Sequence, residues 1–287
     1  MPVALLLGAT SMLGKRLHAQ LQAQGWTVIT AGRHAASDVT VDLGAGPWTG
    51  QARQKADVLF HCAAAFADDS PEGCWLNETV NGLGSLQALA LSAAFGCRQL
   101  VYAGSIFSCY RDTPAELGSY GASKLHGEQL LAWGMARQGG AFCSLRLAQL
   151  YDEQGECAMH QPWFARIVAY AASGADLRLP PGEALRNFVH VDDAATLLLR
   201  AANEGWQGLR SAVHPQSHST AEIAAQAYKQ FGQGGRVQIA EEKAPFREVF
   251  IPPVDPSYEY PFLSLADGLE RIRASGHAQR FSALDVT

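Results

Sequence analysis

The sequence has 287 residues, of which 48% are hydrophobic and 17% charged, and its net charge at neutral pH is −5. A chain of this length can bury a full core in one large or two modest domains, which excludes a small disulfide-stapled scaffold or a tail-like binding segment. The 22 basic residues are scattered, so no stripe exists to neutralise a phosphate backbone, and nucleic acid is not an expected partner.

The predicted elements alternate from the start. A strand over 3–7 is followed by a helix over 13–24, then strands over 27–31, 39–41 and 57–61, a helix over 75–95, a strand over 99–103, a helix over 119–137 and a strand over 142–147. Alternation of this kind implies α/β architecture, a Rossmann-type, doubly wound parallel sheet. From about Tyr151 the rhythm changes, with helices expected at 162–172, 192–203, 220–231 and 266–273, a turn at 180–182 and a short strand at 187–189. We therefore expect a cofactor domain over 1–150, with 186–205 packing back onto it, and a smaller, mainly substrate-binding region over 151–287.

No basic segment precedes the first apolar run, and that run is too short for a secretory signal. No apolar stretch approaches the roughly 18 residues of a membrane span, so a cytoplasmic protein with no membrane partner is expected. The six cysteines (Cys62, Cys74, Cys97, Cys109, Cys143, Cys157) form no CxxC pair and no Cys/His metal spacing. Reduced thiols that pack as small hydrophobes are expected, and no metal.

Three features carry chemistry. The first is the loop Gly8, Ala9, Thr10, Ser11, Met12, Leu13, Gly14 between the first strand and first helix, where backbone N–H groups and the helix N-terminus favour a pyrophosphate. Gly8 suits a tight turn and Gly14 close packing, whereas Ser11 puts a side chain where backbone approaches phosphate. A glycine turn opening any buried helix would read the same. The second is Arg33, at the end of the second strand, where an acidic residue would bind the ribose hydroxyls of NAD(H). A guanidinium there suits the 2′-phosphate of NADP(H), although a solvated loop arginine is the plain alternative.

The third is Tyr120 and Lys124, four apart at the start of a predicted helix and so on one face, with Ser105 fifteen residues upstream at the end of the fifth strand. A neighbouring cation lowers a tyrosine pKa, allowing the phenol to exchange a proton with an alcohol or carbonyl oxygen.

With these residues, the sequence resembles the extended short-chain dehydrogenases/reductases, also called the NAD-dependent epimerase/dehydratase family. The resemblance runs through GATSMLG at 8–14, Asp42-Leu43, FHCAAA at 60–65, Asn81 with Gly84, VYAGS at 101–105, YGASK at 120–124, LRLAQLY at 145–151, RNFVHVDDAA at 186–195 and SLADGL at 264–269. It implies that Tyr120 is the general acid/base, that Lys124 tunes it and binds the nicotinamide ribose, and that Ser105 orients the reacting oxygen. It also implies cofactor contacts at the 8–14 loop, at Asp42 and Leu43 beside the adenine, at Ala63, Ala64 and Ala65, and at Asn81. Substrate contacts are implied at Gln149 and Arg186, and less directly at Arg247. Pairing through the helices 75–95 and 120–137 would make a homodimer.

Departures narrow the reaction. Sugar dehydratases of the family place an Asp-Glu pair after the catalytic hydroxyl, where this chain has Ile106-Phe107, so elimination lacks its acid and base. Cys109, His61 and His190 are expected as packed side chains, and Asp192 and Asp193 as helix N-caps. The expected function is an NADP(H)-dependent ketoreductase of a nucleotide-activated deoxysugar, with NAD(H) possible. A nucleotide-sugar 4-epimerase is the alternative, followed by a reductase of a non-nucleotide carbonyl and a non-catalytic NADP sensor. SKLHGE at 123–128, similar to the dTDP-4-dehydrorhamnose reductases, favours the first.

Overall fold

The computed structural model describes residues 1–282, so the last five residues of the expected substrate region lie outside the described residues. In chain order the elements are β1 (Val3–Leu7), α1 (Met12–Ala23), β2 (Thr27–Gly32), β3 (Val39–Thr40), β4 (Val58–His61), α2 (Pro71–Asn77), α3 (Ser85–Phe95), β5 (Gln99–Ser105), α4 (Ser119–Arg137), β6 (Ala141–Leu147), β7 (Gln149–Tyr151) and α5 (Pro162–Ser173). There follow β8 (Leu177–Leu179), β9 (Leu185–Arg186), β10 (Phe188–His190), α6 (Val191–Asn203), β11 (Gly208–Ala212), β12 (His218–Ser219), α7 (Thr220–Phe231), β13 (Val237–Ile239) and α8 (Leu265–Ser275).

The chain divides into two compact units, the first formed by Met1–Leu147 with Ala194–Ala212 and the second by Ala148–Asp193 with the chain from Val213 onward. The returning segment is thus 194–212 where 186–205 was expected. Residues 186–193 stay in the second unit because β9 pairs with β12 and β10 with β7.

The first unit is a seven-stranded parallel sheet in the order β11-β6-β5-β4-β1-β2-β3. Its central strands are apolar on both faces because helices cover both: every residue of β4 and β5 is buried. Leu5, Leu7, Leu59, Leu100 and Tyr102 share a core with Leu91 and Phe95 of α3 and Leu131 and Met135 of α4. The edge strand β11 was not expected; it is half exposed, with Leu209 on the surface, and GLRSA carries no alternation to announce it.

The expected helix over 75–95 is instead three pieces. Ser70 caps α2 by accepting from the Gly73 N–H, a π-helical turn runs over Glu78–Leu83, and α3 follows. Gly82 and Gly84 weaken helix propensity at the break.

In the second unit, β7 pairs in parallel with β10 and β8 with β13, while β9 and β12 run antiparallel. Helix α5 packs on α7, and α7 on α8. The rings of Tyr151, Phe164 and Phe188 meet in its core. Among the described residues no helix is long and apolar enough to cross a membrane.

Candidate active site

β1 delivers the chain to Gly8, whose φ of 90° lies in the region that favours glycine. A Cβ at Gly8 would stand 2.5 Å from the Ala63 backbone nitrogen, and one at Gly14 would stand 2.1 Å from the Gly8 carbonyl oxygen. Neither position admits a side chain. Ser11 resolves the intrusion expected of it by folding back: its hydroxyl donates to the Gly8 carbonyl (2.9 Å) and accepts from the Gly14 N–H (3.0 Å), capping α1. The Leu13 side chain is buried in the core and Thr10 is exposed. The N–H groups of Met12 and Leu13, at the first turn, have no intrahelical acceptor, so the loop offers bare backbone donors at a positive helix end, which fits a dinucleotide pyrophosphate.

Arg33 follows β2 and is exposed. Asp42 is exposed too, with one carboxylate oxygen accepting from the Gly44 N–H. The Leu43 side chain is buried in the core of the sheet unit.

The loop after β4 is clamped by two asparagines one helical turn apart. Asn81 accepts from the Ala65 N–H (2.8 Å) and donates to the Ala65 carbonyl (2.9 Å) and to Ser123 Oγ (3.0 Å). Asn77 repeats the pattern with the Ala67 N–H (3.0 Å), the Ala67 carbonyl (3.1 Å) and Ser119 Oγ (2.9 Å). Both amide donors of Asn81, from which a cofactor contact was expected, are thus taken up by protein. Ala63, Ala64 and Ala65 lie on the loop so held, with Ala64 exposed.

Tyr120 and Lys124 lie on the first turns of α4. Lys124 is 2% exposed, its Nζ donates to the Ala103 carbonyl (2.8 Å), and it stands 4.0 Å above the centre of the Tyr102 ring. Burial lowers its pKa to about 7, while Cys62 and Glu128 oppose the shift. Tyr120 is pushed up to about 12 by burial, with Ser105 acting the other way. The lowering of the phenol by Lys124 expected from spacing is corrected here: the ammonium is turned toward Ala103 and the Tyr102 ring, so burial prevails. Ser105 ends β5 and is buried, and its Oγ accepts from the Phe107 N–H (3.1 Å).

Beneath these residues lies a polar cluster that sequence reasoning missed. Glu128, one turn beyond Lys124, accepts from Ser144 Oγ (2.6 Å) and from Arg146 through both Nε (3.1 Å) and Nη2 (2.6 Å). Arg146 also contacts Cys109 Sγ at 3.4 Å, so that thiol has a polar neighbour and is only part-buried. His61 is buried against Tyr102 with both ring nitrogens unpartnered, and burial lowers its pKa to about 3.

In the second unit, Arg186 is 5% exposed and lies beside the paired rings of Trp163 and Phe246, 6.0 and 5.8 Å from their centres. Its guanidinium donates to the carbonyls of Leu185 (2.8 Å) and Arg247 (2.6 Å). Arg247 thus meets Arg186 through its backbone, and its side chain is exposed. Gln149 donates to Gln161 Oε1 (2.8 Å), and its own Oε1 is buried without a partner.

His190 is buried but not merely packed. Its Nδ1 accepts from the Asp192 N–H (3.2 Å), leaving the proton on Nε2 to be donated to Glu153 (3.1 Å). The N-capping expected of Asp192 and Asp193 is corrected accordingly. Both lie inside the first turn of α6, and the Asp193 carboxylate accepts from the Tyr260 hydroxyl (2.9 Å) and the Leu263 N–H (2.9 Å).

A protein-family model described as the NAD dependent epimerase/dehydratase family matches residues 4–211. The chain belongs to this family. It is an NAD(P)-dependent enzyme of the extended short-chain dehydrogenase/reductase type. A search of curated proteins found no match.

Among solved structures, the fold is similar to that of UDP-N-acetylglucosamine 4-epimerase from Bacillus cereus, with TM-score 0.73 and 20% identity over 100% of this chain and 99% of that one. It is also similar to dTDP-4-dehydrorhamnose reductase from Bacillus anthracis str. Ames in complex with NADP, with TM-score 0.74 and 17% identity over 96% and 99%. A third is UDP-glucose 4-epimerase from Thermus thermophilus in complex with NAD, with TM-score 0.68 and 20% identity over 98% and 99%. At these identities the likeness speaks to the fold alone. Family membership and the glycine cradle agree on a nicotinamide dinucleotide at the carboxyl end of the parallel strands.

Proposed function

We propose that the protein is an NADP(H)-dependent ketoreductase of a nucleotide-activated keto-deoxysugar, working through Ser105, Tyr120 and Lys124. The observation that carries the reading is the Tyr120 phenol, half-buried near Ser105 at the end of β5 and held protonated at neutral pH by a raised pKa. Reduction of a ketone needs a proton donor at that place. A dihydronicotinamide dinucleotide held by the 8–14 loop and Lys124 would supply hydride, with its electron pair, for the carbonyl carbon. Tyr120 gives its phenolic proton to the oxygen as the C–O π bond breaks, Ser105 holds that oxygen by a hydrogen bond, and the product is the alcohol. Lys124, protonated once the cofactor is bound, would hold the nicotinamide ribose.

Elimination is not supported, because Ile106 and Phe107 supply neither acid nor base. Arg33, exposed at the end of β2, supports NADP(H) through its fit to a 2′-phosphate. The Arg186 guanidinium, buried with carbonyl partners, suits an anionic substrate group such as a diphosphate. Trp75, Leu76, Leu83, Leu86 and Trp133 are large apolar side chains left exposed on α2, the π turn, α3 and α4, and we propose these helices as a homodimer interface. The location proposed is the cytoplasm.

The reading is tested by incubating the enzyme with NADPH and a nucleoside diphosphate 4-keto-6-deoxyhexose. One NADPH oxidised per ketone consumed is expected. Interconversion of two sugar nucleotides with no net change in cofactor would instead make it an epimerase.

A further inference from the structure

Two phenylalanines stand edge-on to the Tyr120 ring. Phe66, from the loop after β4, lies 4.6 Å away between ring centres with 66° between planes, and Phe107, from the turn after β5, lies at 6.2 Å and 72°. Both are held by backbone. The Phe107 N–H donates to Ser105 Oγ, and its carbonyl sits 2.1 Å from where a Cβ on residue 121 would be, so Gly121 lets the turn seat against α4. Phe66 is flanked by Ala65 and Ala67, the two residues that Asn81 and Asn77 clamp, yet its side chain is 48% exposed. Across 63–67 and at 106–107 the sequence is AAAFA and IF, which offers no side-chain donor or acceptor.

We propose that Phe66 and Phe107 are specificity-determining residues, forming apolar walls that select ketones whose substituent beside the reacting group is a methyl or methylene instead of a hydroxyl-bearing carbon. The proposal rests on the ketoreductase reading above. A carbonyl oxygen within about 3 Å of the Tyr120 hydroxyl and Ser105 Oγ brings the substituents of its carbon within van der Waals reach of the rings around that phenol. A hydroxyl pressed there loses water and gains no partner. Apolar walls reject an added hydroxyl by about 100-fold at most, so a preference of about 10- to 100-fold is expected.

The test compares kcat/KM, with NADPH, for two nucleoside diphosphate 4-ketohexoses that differ only in carrying a methyl or a hydroxymethyl at C5. The wild type is expected to favour the methyl ketone by about 10- to 100-fold. In Phe107→Ser and in Phe66→Ser that ratio is expected to fall to within a few-fold of unity, chiefly through gain on the hydroxymethyl ketone. The Phe66 variant changes a half-exposed side chain and spares the core. Equal kcat/KM in the wild type, or a ratio unmoved in both variants, overturns the proposal and leaves the ketoreductase reading standing. No NADPH-dependent turnover of either ketone overturns both.

Discussion

Burying an ammonium group against an aromatic ring leaves Lys124 with one hydrogen bond, to Ala103, and a pKa of about 7 in the protein without cofactor. Phosphate and ribose oxygens arriving beside it favour its charged form and raise that pKa. The sign follows: at pH 8 the free protein holds Lys124 largely neutral and the complex holds it protonated, so binding takes up a proton, whereas at pH 6 both are protonated and uptake vanishes. Calorimetry in two buffers of different ionisation enthalpy is expected to find uptake approaching one proton at pH 8 and none at pH 6, and no uptake in Lys124→Met. Equal values at both pH values in the wild type would contradict this account of the lysine. For Arg33, a charge-assisted bond to a 2′-phosphate is worth about 1.5–3 kcal/mol. Arg33→Ala is therefore expected to weaken NADPH binding by about 10- to 100-fold while NADH binding holds; equal loss for both cofactors would remove Arg33 from cofactor choice.

The residues legible in the sequence were those whose chemistry is encoded by short spacing, such as Tyr120 with Lys124. Asn77, Glu128 and Arg146 were not. Their partners lie across turns and strands: Asn77 bonds Ser119, 42 positions away, and Arg146 bonds Glu128, 18 away. A single buried polar side chain gives no local signal of this kind.

At the scale of elements, the site depends on two helical surfaces kept in register. Asn77 and Asn81 are one turn apart, as are Ser119 and Ser123, and each asparagine links the loop after β4 to α4. Truncating Asn81 leaves the N–H and carbonyl of Ala65 without their partner at about 1–3 kcal/mol for each group left unsatisfied. Asn81→Ala is expected to lower stability in urea by about 2–4 kcal/mol and to weaken cofactor binding as well. A change within about 0.5 kcal/mol, the range of ordinary surface substitutions, would show that the clamp is dispensable.

Sequence periodicity located α4 and α7 at their observed bounds, Ser119–Arg137 and Thr220–Phe231, because one is long and the other opens on a capping box and closes on a glycine. It merged the end of α2, the π turn and α3, because a π turn keeps the chain helical and carries no proline to mark the break. The strand expected at 187–189 is β10 (Phe188–His190), whereas β11, whose GLRSA lacks alternation, and the other two- and three-residue strands of the second unit escaped it, since such strands are fixed by tertiary partners more than by local pattern.

For the whole molecule, the low proportion of charge foreshadowed surface that remains apolar. Trp75 is 76% and Trp133 58% exposed, and both belong to the proposed homodimer interface. Sedimentation is expected to find a dimer in the wild type and a monomer in Trp133→Glu, with cofactor binding retained. A wild type that stays monomeric at tens of micromolar would contradict the proposed interface.

The proposed reaction is net hydride transfer to a ketone with a proton from Tyr120. It is tested most directly with NADPH deuterated at the transferable C4 position and a 4-keto-6-deoxyhexose nucleotide. The account expects one deuterium on the new carbinol carbon for each NADPH oxidised, and loss of that transfer by at least about 100-fold in Tyr120→Phe, which still binds cofactor. Product free of deuterium, or transfer at the wild-type rate in Tyr120→Phe, would contradict it.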